Sequence, residues 1–315
     1  MHEKSRIVFE KLCEIPTETK IMEKWNIDKL PTIEILRIIN EEDKKAVEAV
    51  GRELESISKA VELICQSLSN GGRMIYIGAG TSGRLAIIDV AELMPTFNVG
   101  PEIAEAIIAG GPGAVFRAIE GAEDDEEMAV RELKARRIRE LDVIIGISAS
   151  GRTPFVISAL KYAKSVGAKT IAITSNRRGE IINYADIVIA PETGPEVITG
   201  STRMKAATAQ KTILTMMSTT IMIKLGRIKN GLMINLTPVS DKLKERAKRI
   251  IMEEAGVSHE EAERKLFESG GSVTLAIIMA KTGLNICEAR KLLEEAKGIP
   301  LKAIELAEVK KFGKS

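Results

Sequence analysis

Aromatic residues are scarce in this chain of 315 residues, and its charges nearly cancel. Aromatic side chains make up 3% of the sequence, and 46 Lys and Arg face 44 Asp and Glu. Neither a basic track for a phosphate backbone nor aromatic platforms for stacking bases are evident. We therefore expect no nucleic acid partner.

Cysteine and histidine are also too few for the sites they usually build. Cys13, Cys65 and Cys287 lie far apart and are odd in number, which argues against a disulfide framework and a thiolate metal cluster. With His2 and His259 as the only histidines, a zinc site has almost no ligands. We expect no metal.

Long apolar runs are missing as well. No segment approaches the roughly 20 apolar residues that a membrane helix needs, and the polar residues 1–24 lack the apolar core of a signal peptide. We therefore expect a cytoplasmic protein with no membrane partner.

What the chain does contain is alternating helical and β-branched segments. Apolar residues recur at helical spacing over residues 32–68, with a break near Gly51, which predicts one long helix or two abutting helices. Short apolar runs separated by helical patterns then predict a parallel sheet. These runs cover residues 74–77, 103–108, 143–147, 170–174 and 187–189.

Two of these strands run into loops rich in glycine and hydroxyl groups. Residues 78–83 read GAGTSG and residues 148–153 read SASGRT, and each loop precedes a helical pattern. The first loop satisfies the dinucleotide fingerprint G-x-G-x-x-G. However, a dinucleotide fold wants an acidic residue after its second strand, and here that strand ends Ile108-Ala109-Gly110-Gly111.

A phosphate monoester fits these loops better. Thr81, Ser82, Ser148, Ser150 and Thr153 supply hydroxyl groups beside helix N-termini, whose N–H groups attract anions. The alternative is that these residues only shape turns and cap helices. Because the arrangement occurs twice, we favour a phosphate site.

The last third of the chain changes character. A helix is predicted over residues 202–225, with Arg203 and Lys205 in its first turn, where the helix dipole disfavours cations. Either a compensating anion or solvent is expected there. Beyond residue 240 short helices follow, with breaks at Gly256, Gly270-Gly271 and Gly283. Ser258 is a predicted N-cap. We divide the chain into domains 1–238 and 239–315.

The sequence resembles the sugar isomerase (SIS) domain, whose phosphosugar-binding loops are similar to residues 81–82 and 148–153. Longer strings are similar to the N-acetylmuramic acid 6-phosphate etherase family: IYIGAGTSGRL at 75–85, EGAED at 120–124 and TGSTRMKAATAQK at 199–211. The resemblance implies an α/β fold. It would be a SIS-type three-layer α-β-α sandwich with a mostly parallel five-stranded sheet, plus a small C-terminal helical, UBA-like domain.

The resemblance also implies an activity and a site. The activity is cleavage of the D-lactyl ether of N-acetylmuramic acid 6-phosphate, by elimination and then addition of water, without a cofactor. Glu92 and Glu123 would be catalytic. The implied phosphate-binding and sugar-binding residues are Gly80, Thr81, Ser82, Glu120, Ser148, Ser150, Gly151, Thr153, Ser201 and Lys205.

Breaking an ether in this way needs a base and an acid, and the resemblance implies that these are the two glutamates. Glu123 would remove the C2 proton of the ring-opened sugar, and Glu92 would protonate the departing lactate and then activate water. Without the resemblance, Glu123 would simply complement a helix dipole and Glu92 would be an ordinary exposed residue. Ten helical residues span about 15 Å, so we expect Glu92 to serve the neighbouring subunit of a homodimer.

Two other functions compete with this interpretation. A phosphosugar isomerase or a sugar-phosphate sensor would keep Ser148, Ser150 and Thr153 without needing Glu92. The related glucokinase regulatory protein has two sheet units, whereas this chain has one. A nicotinamide-dependent dehydrogenase is the alternative that the glycine fingerprint suggests.

Overall fold

The computed structural model describes residues 16–21 and 26–312. The chain forms two compact units. The first contains the described residues up to Val90 together with Glu102–Met217, and the second contains Ala91–Pro101 and the described residues from Ser218. Cys13 and His2 lie outside the described residues.

Two helices open the first unit. Helix α1 covers Thr32–Gly51 and helix α2 covers Leu54–Ser69, which resolves the predicted choice in favour of two abutting helices. Each buries one apolar stripe and exposes the opposite face. The buried residues include Ala46, Val50, Ile57 and Ile64.

Five parallel strands form the sheet within the described residues, in the order β2-β1-β3-β4-β5. All five strands predicted from the sequence are present, with ends shifted by one residue or less. Their bounds are Met74–Gly78 (β1), Ala104–Ile108 (β2), Val143–Ile147 (β3), Lys169–Ile173 (β4) and Ile187–Ile189 (β5).

Strands β1 and β3 are buried along their whole length, because helices cover the sheet. Ile75 and Ile77 join an apolar cluster that includes Leu133 and Phe155, whereas Met74 and Tyr76, equally buried, lie on the opposite face. The helices after the strands are α3 (Gly80–Phe97), the short α4 (Gly113–Phe116), α5 (Glu126–Ala135), α6 (Pro154–Ser165) and α7 (Lys205–Lys224).

The amino end of the sheet is held by charged groups. The Arg73 guanidinium donates to the fully buried Asp142 carboxylate at 2.8 Å and contacts Glu105 at 3.3 Å. The same carboxylate accepts hydrogen bonds from the backbone N–H groups of Arg73 and Arg139. This edge is therefore closed by the chain's own ion pairs, opposite to the loops rich in hydroxyl groups.

The second unit is helical beyond residue 240. As predicted, Ser258 caps its helix, by accepting from the backbone N–H of Glu261, and helices end at Gly256 and Gly283. Both glycines adopt the left-handed conformation. The helices are α8 (Asp241–Ala255), α9 (His259–Glu268), α10 (Val273–Thr282), α11 (Ile286–Glu295) and α12 (Pro300–Phe312). In the described part of the chain, no helix is long and apolar enough to cross a membrane.

Candidate active site

The turn between β1 and α3 brings a strand end into contact with a helix start. A Cβ atom on Gly83 would lie 2.7 Å from the carbonyl oxygen of Gly78, and one on Gly78 would lie 2.8 Å from the Gly83 nitrogen. Gly80 adopts a positive φ of 53°. Close packing of the strand on the helix therefore explains the glycine fingerprint. The fingerprint by itself is no evidence that a dinucleotide binds here.

Ser82 lies at the start of α3 and is almost fully buried. Its hydroxyl donates to the Gln210 Oε1 atom of α7 at 2.9 Å. Thr81, next to it, is half-buried. The first loop thus presents one hydroxyl that is held by the protein and, beside it, a threonine that is partly open to solvent.

The second loop gathers three hydroxyl groups. The Ser148 Oγ atom lies 2.8 Å from Thr153 Oγ1 and 3.4 Å from Ser150 Oγ. The backbone N–H of Gly151, whose φ is positive, donates to Ser148 Oγ at 3.1 Å. Because α6 begins at Pro154, these hydroxyls lie at a helix N-terminus, where an anion is stabilised.

A third loop, after β4, supports the second one. The buried Asn176 side chain donates to the carbonyl oxygen of Ser150 at 2.9 Å and accepts from the backbone N–H of Arg178 at 3.0 Å. Gly179 packs directly on Gly151, since a Cβ atom on Gly179 would lie 2.7 Å from the Gly151 Cα atom. The position of the hydroxyl loop is therefore fixed by its neighbour.

The sheet order places the first two loops side by side. Strands β1 and β3 are neighbours, and Gly78 pairs in register with Ile147, so both strands end at one edge of the sheet. Strand β2 lies on the other side of β1, which makes the gap between β1 and β3 a topological switch point. Ligands of open α/β sheets bind in such a crevice.

A cavity of about 350 Å³ lies beside the first loop and carries two acidic residues. Gly80, Glu120 and Glu123 line it, so the structure brings three of the predicted site residues together. Gly121, in the left-handed conformation, turns the chain between the two glutamates. Ala109, at the end of β2, also lines this cavity, at the position where a dinucleotide fold would need its acidic residue.

Comparison with known proteins gives this architecture a family. Residues 56–164 match the glucokinase regulatory protein N-terminal SIS domain, and residues 123–220 match the SIS domain. The N-acetylmuramic acid 6-phosphate etherase of Clostridium beijerinckii is 49% identical over 294 residues, covering 93% of this chain and 97% of that protein. This chain belongs to the N-acetylmuramic acid 6-phosphate etherase family.

A second relative agrees with this assignment, and a solved structure supports the fold. The N-acetylmuramic acid 6-phosphate etherase of Geobacillus thermodenitrificans is 48% identical over 291 residues, covering 92% of this chain and 99% of that protein. A phosphoheptose isomerase from Francisella tularensis has the same fold, with a TM-score of 0.50 and 21% identity over 61% of this chain and 98% of that chain. The predicted SIS-type fold is confirmed.

Glu92 lies on α3, ten residues beyond Ser82, and its side chain is exposed. Ten residues of α-helix span about 15 Å, so Glu92 is nearly three turns away from the loop that begins the helix. Whereas Glu120 and Glu123 are brought to the cavity beside Gly80, Glu92 is not among its lining residues.

Lys205 is buried, and its ammonium group contacts Glu42 of α1 at 2.5 Å. Glu42 also contacts Lys45 at 2.6 Å. Burial raises the pKa of the Glu42 carboxyl, but the hydrogen bonds from Lys205 and Lys45 outweigh it and hold the pKa below its usual range. The chain therefore supplies the anion that a lysine in the first turn of a helix was expected to need.

The N-terminus of α7 is occupied by a second carboxylate. Glu196, fully buried, accepts from the backbone N–H groups of Lys205 at 2.9 Å and Ala206 at 3.0 Å. Burial raises the pKa of Glu196 against the opposing effect of these two bonds. Helix α7 therefore begins at Lys205, three residues later than predicted, with Glu196 accepting from its first two N–H groups. Ser201 is half-buried in the preceding turn.

Three residues near the site were missed by the sequence analysis. Arg84 lines the cavity and donates to the carbonyl oxygens of Val115 and Arg117, which fixes the segment leading to Glu120. Arg84 and Gln210 fall inside the motifs that carry the family resemblance, which was the available signal. Asn176 lies in no recognised motif, and only its contacts reveal it.

Proposed function

We propose that this chain cleaves the D-lactyl ether of N-acetylmuramic acid 6-phosphate, giving N-acetylglucosamine 6-phosphate and D-lactate. The observation that carries the proposal is the pairing of two hydroxyl-rich loops at a switch point with a cavity that bears Glu120 and Glu123. A chain made only to sense a sugar phosphate needs the loops and groups that bind the sugar, but it needs no base to remove a proton from C2.

The phosphate would lie between the two loops, in contact with the hydroxyls of Thr81, Ser82, Ser150 and Thr153. Ser148 holds Thr153 and the Gly151 N–H in place, so it serves the loop as well as the ligand. Two helix N-termini, those of α3 and α6, add favourable electrostatic interactions with the dianion. Ser201 is proposed to complete the site. Lys205 is proposed to join it by exchanging its buried contact with Glu42 for the phosphate.

The reaction begins from the open-chain aldehyde of the sugar, because the carbonyl at C1 acidifies the proton at C2. Glu123 takes that proton, and the C3–O bond breaks with protonation of the lactate oxygen by Glu92. An alkene between C2 and C3 results. Water then adds its hydroxyl to C3 and a proton returns to C2, so that the net change is hydrolysis of the ether.

Glu120 and Arg84 line the same cavity as Glu123. We propose that Glu120 accepts a hydrogen bond from a sugar hydroxyl and that Arg84 fixes the segment carrying both glutamates. This sequence of proton transfers needs no cofactor, because the carbonyl of the substrate itself acidifies C2.

Because Glu92 lies far from the phosphate loop of its own chain, we propose that the protein is a homodimer in which Glu92 acts in the partner's site. Such sharing predicts complementation between two inactive chains. A mixture of Glu92→Ala and Ser150→Ala chains should recover up to about a quarter of the activity, since one heterodimer site in two is intact and half the dimers are mixed. Heterodimers without activity would contradict sharing.

Cytoplasmic localisation and the division into domains 1–238 and 239–315 complete the proposal. A cytoplasmic site suits a substrate that is already phosphorylated. Expression of residues 1–238 alone tests the division: a folded fragment that still binds N-acetylglucosamine 6-phosphate supports the boundary, and an aggregated fragment contradicts it.

The function is tested with purified protein and N-acetylmuramic acid 6-phosphate in deuterated water, followed by NMR. We expect release of D-lactate together with deuterium at C2 of the product, without added metal or nucleotide. A folded protein that binds the sugar phosphate yet gives neither lactate nor exchange would contradict the proposal and favour a sensor or an isomerase.

A further inference from the structure

Gln210 and Ser82 form a buried pair across the first unit. The Ser82 hydroxyl donates to Gln210 Oε1 at 2.9 Å, and the two residues are 8% and 2% exposed, Ser82 being the first. The other end of the same amide, Nε2, has no hydrogen-bond partner among the described residues. A buried amide that leaves its donor unused is uncommon, because the loss of its hydration is not compensated.

The direction of the Ser82 proton conflicts with the proposed role of Ser82. A hydroxyl has one proton, and in the structure this proton is given to Gln210. A phosphate dianion offers only acceptors. Ser82 can therefore donate to a phosphate only if Gln210 no longer takes its proton.

We propose that Gln210 is a positioning residue that directs the Ser82 proton toward the sugar phosphate. When the terminal amide turns by half a rotation, Nε2 donates to Ser82 Oγ. The hydroxyl then accepts from Gln210 and donates to the phosphate. No covalent bond is made or broken: Nε2 gains the Ser82 oxygen as its acceptor, and Oε1 gives up the Ser82 proton, which now goes to the phosphate.

The surroundings of Gln210 suit this rotation. Helix α7 is buried at Ala206, Ala209 and Ile213, all fully inaccessible, so the backbone that carries the amide is fixed. The oxygen and nitrogen of an amide occupy nearly the same space, and the terminal torsion has a broad preference. The amide can thus exchange its two ends without repacking its neighbours.

The inference rests on the proposed function only through Ser82 as a phosphate contact. It predicts an effect confined to the phosphate, whereas a purely structural Gln210 would affect stability and all ligands alike. Binding of N-acetylglucosamine 6-phosphate and of N-acetylglucosamine, measured by calorimetry, separates these two possibilities.

Two substitutions of similar size distinguish donor from acceptor at position 210. Gln210→Glu can only accept as a carboxylate, so it keeps the Ser82 proton and repels the phosphate; we expect affinity for N-acetylglucosamine 6-phosphate to fall about 100-fold. Gln210→Met releases the proton without orienting it, and about a 10-fold loss is expected. Binding of the unphosphorylated sugar should not change.

A double-mutant cycle and a matched control complete the test. In a Ser82→Ala background, Gln210→Met should add less than about a 2-fold loss, because the hydroxyl it positions is gone. The other glutamine of the chain, Gln66, is exposed on α2, and Gln66→Met should bind the phosphosugar like the wild type. If Gln210→Glu fails to fold, the cycle with Gln210→Met still tests the role.

The failures of the two proposals can be told apart. A wild type that binds N-acetylglucosamine 6-phosphate but releases no lactate from the etherase substrate would remove the proposed function alone. A wild type that releases lactate, with Gln210→Glu folded and binding the phosphosugar as tightly, would overturn the role of Gln210 alone. Equal losses from Gln210→Met in the wild-type and Ser82→Ala backgrounds would also overturn it.

Discussion

Glu123 stands on a single turn of 3-10 helix, Ala122–Asp124, just before α5. The acidic residues that follow it stabilise the start of a helix. Asp125 caps α5 by accepting from the backbone N–H of Met128 at 2.8 Å. Glu123 is set apart from this run because it lines the cavity beside Gly80. Position, and not acidity alone, distinguishes a candidate base from a helix cap.

Because Glu123 and Glu92 have different proposed roles, their substitution should affect different steps of the reaction. Glu123→Gln should abolish C2 deuterium exchange and lactate release together, with a loss in rate of about 100-fold to 10,000-fold. Glu92→Gln should lose lactate release while C2 exchange continues. Both rates are measured by NMR in deuterated water.

The matched control for Glu123 lies four residues further along the chain. Glu127 is exposed in the first turn of α5 and does not line the cavity, so Glu127→Gln should retain wild-type rates. C2 exchange at the wild-type rate in Glu123→Gln would show that another group is the base.

At the scale of elements, the junctions between strands and helices decide where the hydroxyl groups lie. Gly83 lies in the first turn of α3, and a Cβ atom there would lie 2.6 Å from Ile108 Cγ1 and 2.7 Å from Gly78 O. The first conflict involves a side chain and could relax, but the second involves backbone. A side chain at position 83 must therefore push α3 away from β1.

This geometry predicts opposite outcomes for two glycines in helices. Gly83→Ala should destabilise the protein by about 1–3 kcal/mol and weaken phosphosugar binding, because overpacking displaces the loop that carries Ser82. A Cβ atom added to Gly51, the last residue of α1, would have no atom within 4 Å, so Gly51→Ala should be neutral or slightly stabilising. Urea denaturation measures both effects.

Equal stability of Gly83→Ala and the wild type would mean that the strand end and the helix start are free to separate. The phosphosugar affinity of the same variant then reports whether that separation matters to the loop. Unchanged stability and unchanged affinity together would contradict the role given to this close approach.

In the whole molecule, the two ends of the sheet have different roles: one contributes to stability and the other carries the proposed site. Arg73 and Asp142 close the amino end with an ion pair, whereas the carboxyl end carries the loops with Ser82 and Ser148. A further buried ion pair, Glu42 with Lys205, joins α1 to α7. Removing one partner of a buried pair leaves an uncompensated charge, which costs more than the pair itself contributes.

We predict that Glu42→Gln lowers the free energy of unfolding by about 3–5 kcal/mol at neutral pH. The pKa of Glu42 is lowered from its ordinary value of 4.5, so the stabilisation by its charge is complete above that pH. It is lost as the pH falls below 4.5 through the folded-state pKa. The difference between variant and wild type should therefore narrow in acid, as measured by urea denaturation at several pH values.

The neighbouring residue provides the control. Glu41 pairs with Lys44 on the surface, with both side chains more than half exposed, and Glu41→Gln should change stability by less than about 1 kcal/mol. A similar cost for Glu41→Gln and Glu42→Gln would show that burial of the pair has no special consequence.

The strands, the two hydroxyl-rich loops and the family could be predicted from the order of the amino acids. These features are local: a buried parallel strand is a short apolar run, and a loop such as SASGRT carries its hydroxyls within six residues. The C-terminal helices could also be predicted, since Gly256 marks a helix end and Ser258 marks a helix start. Local patterns could be interpreted because their physical cause is also local.

Which side chains come into contact became known from the three-dimensional packing alone. Ser82 and Gln210 are 128 residues apart, and Glu42 and Lys205 are 163 apart. No periodicity encodes such pairs, because they depend on the order of strands in the sheet and on which helix packs beside which. The same packing gave Lys205 a carboxylate partner and directed the Ser82 proton to an amide. The sequence specifies the type of each side chain, but the fold determines its partner.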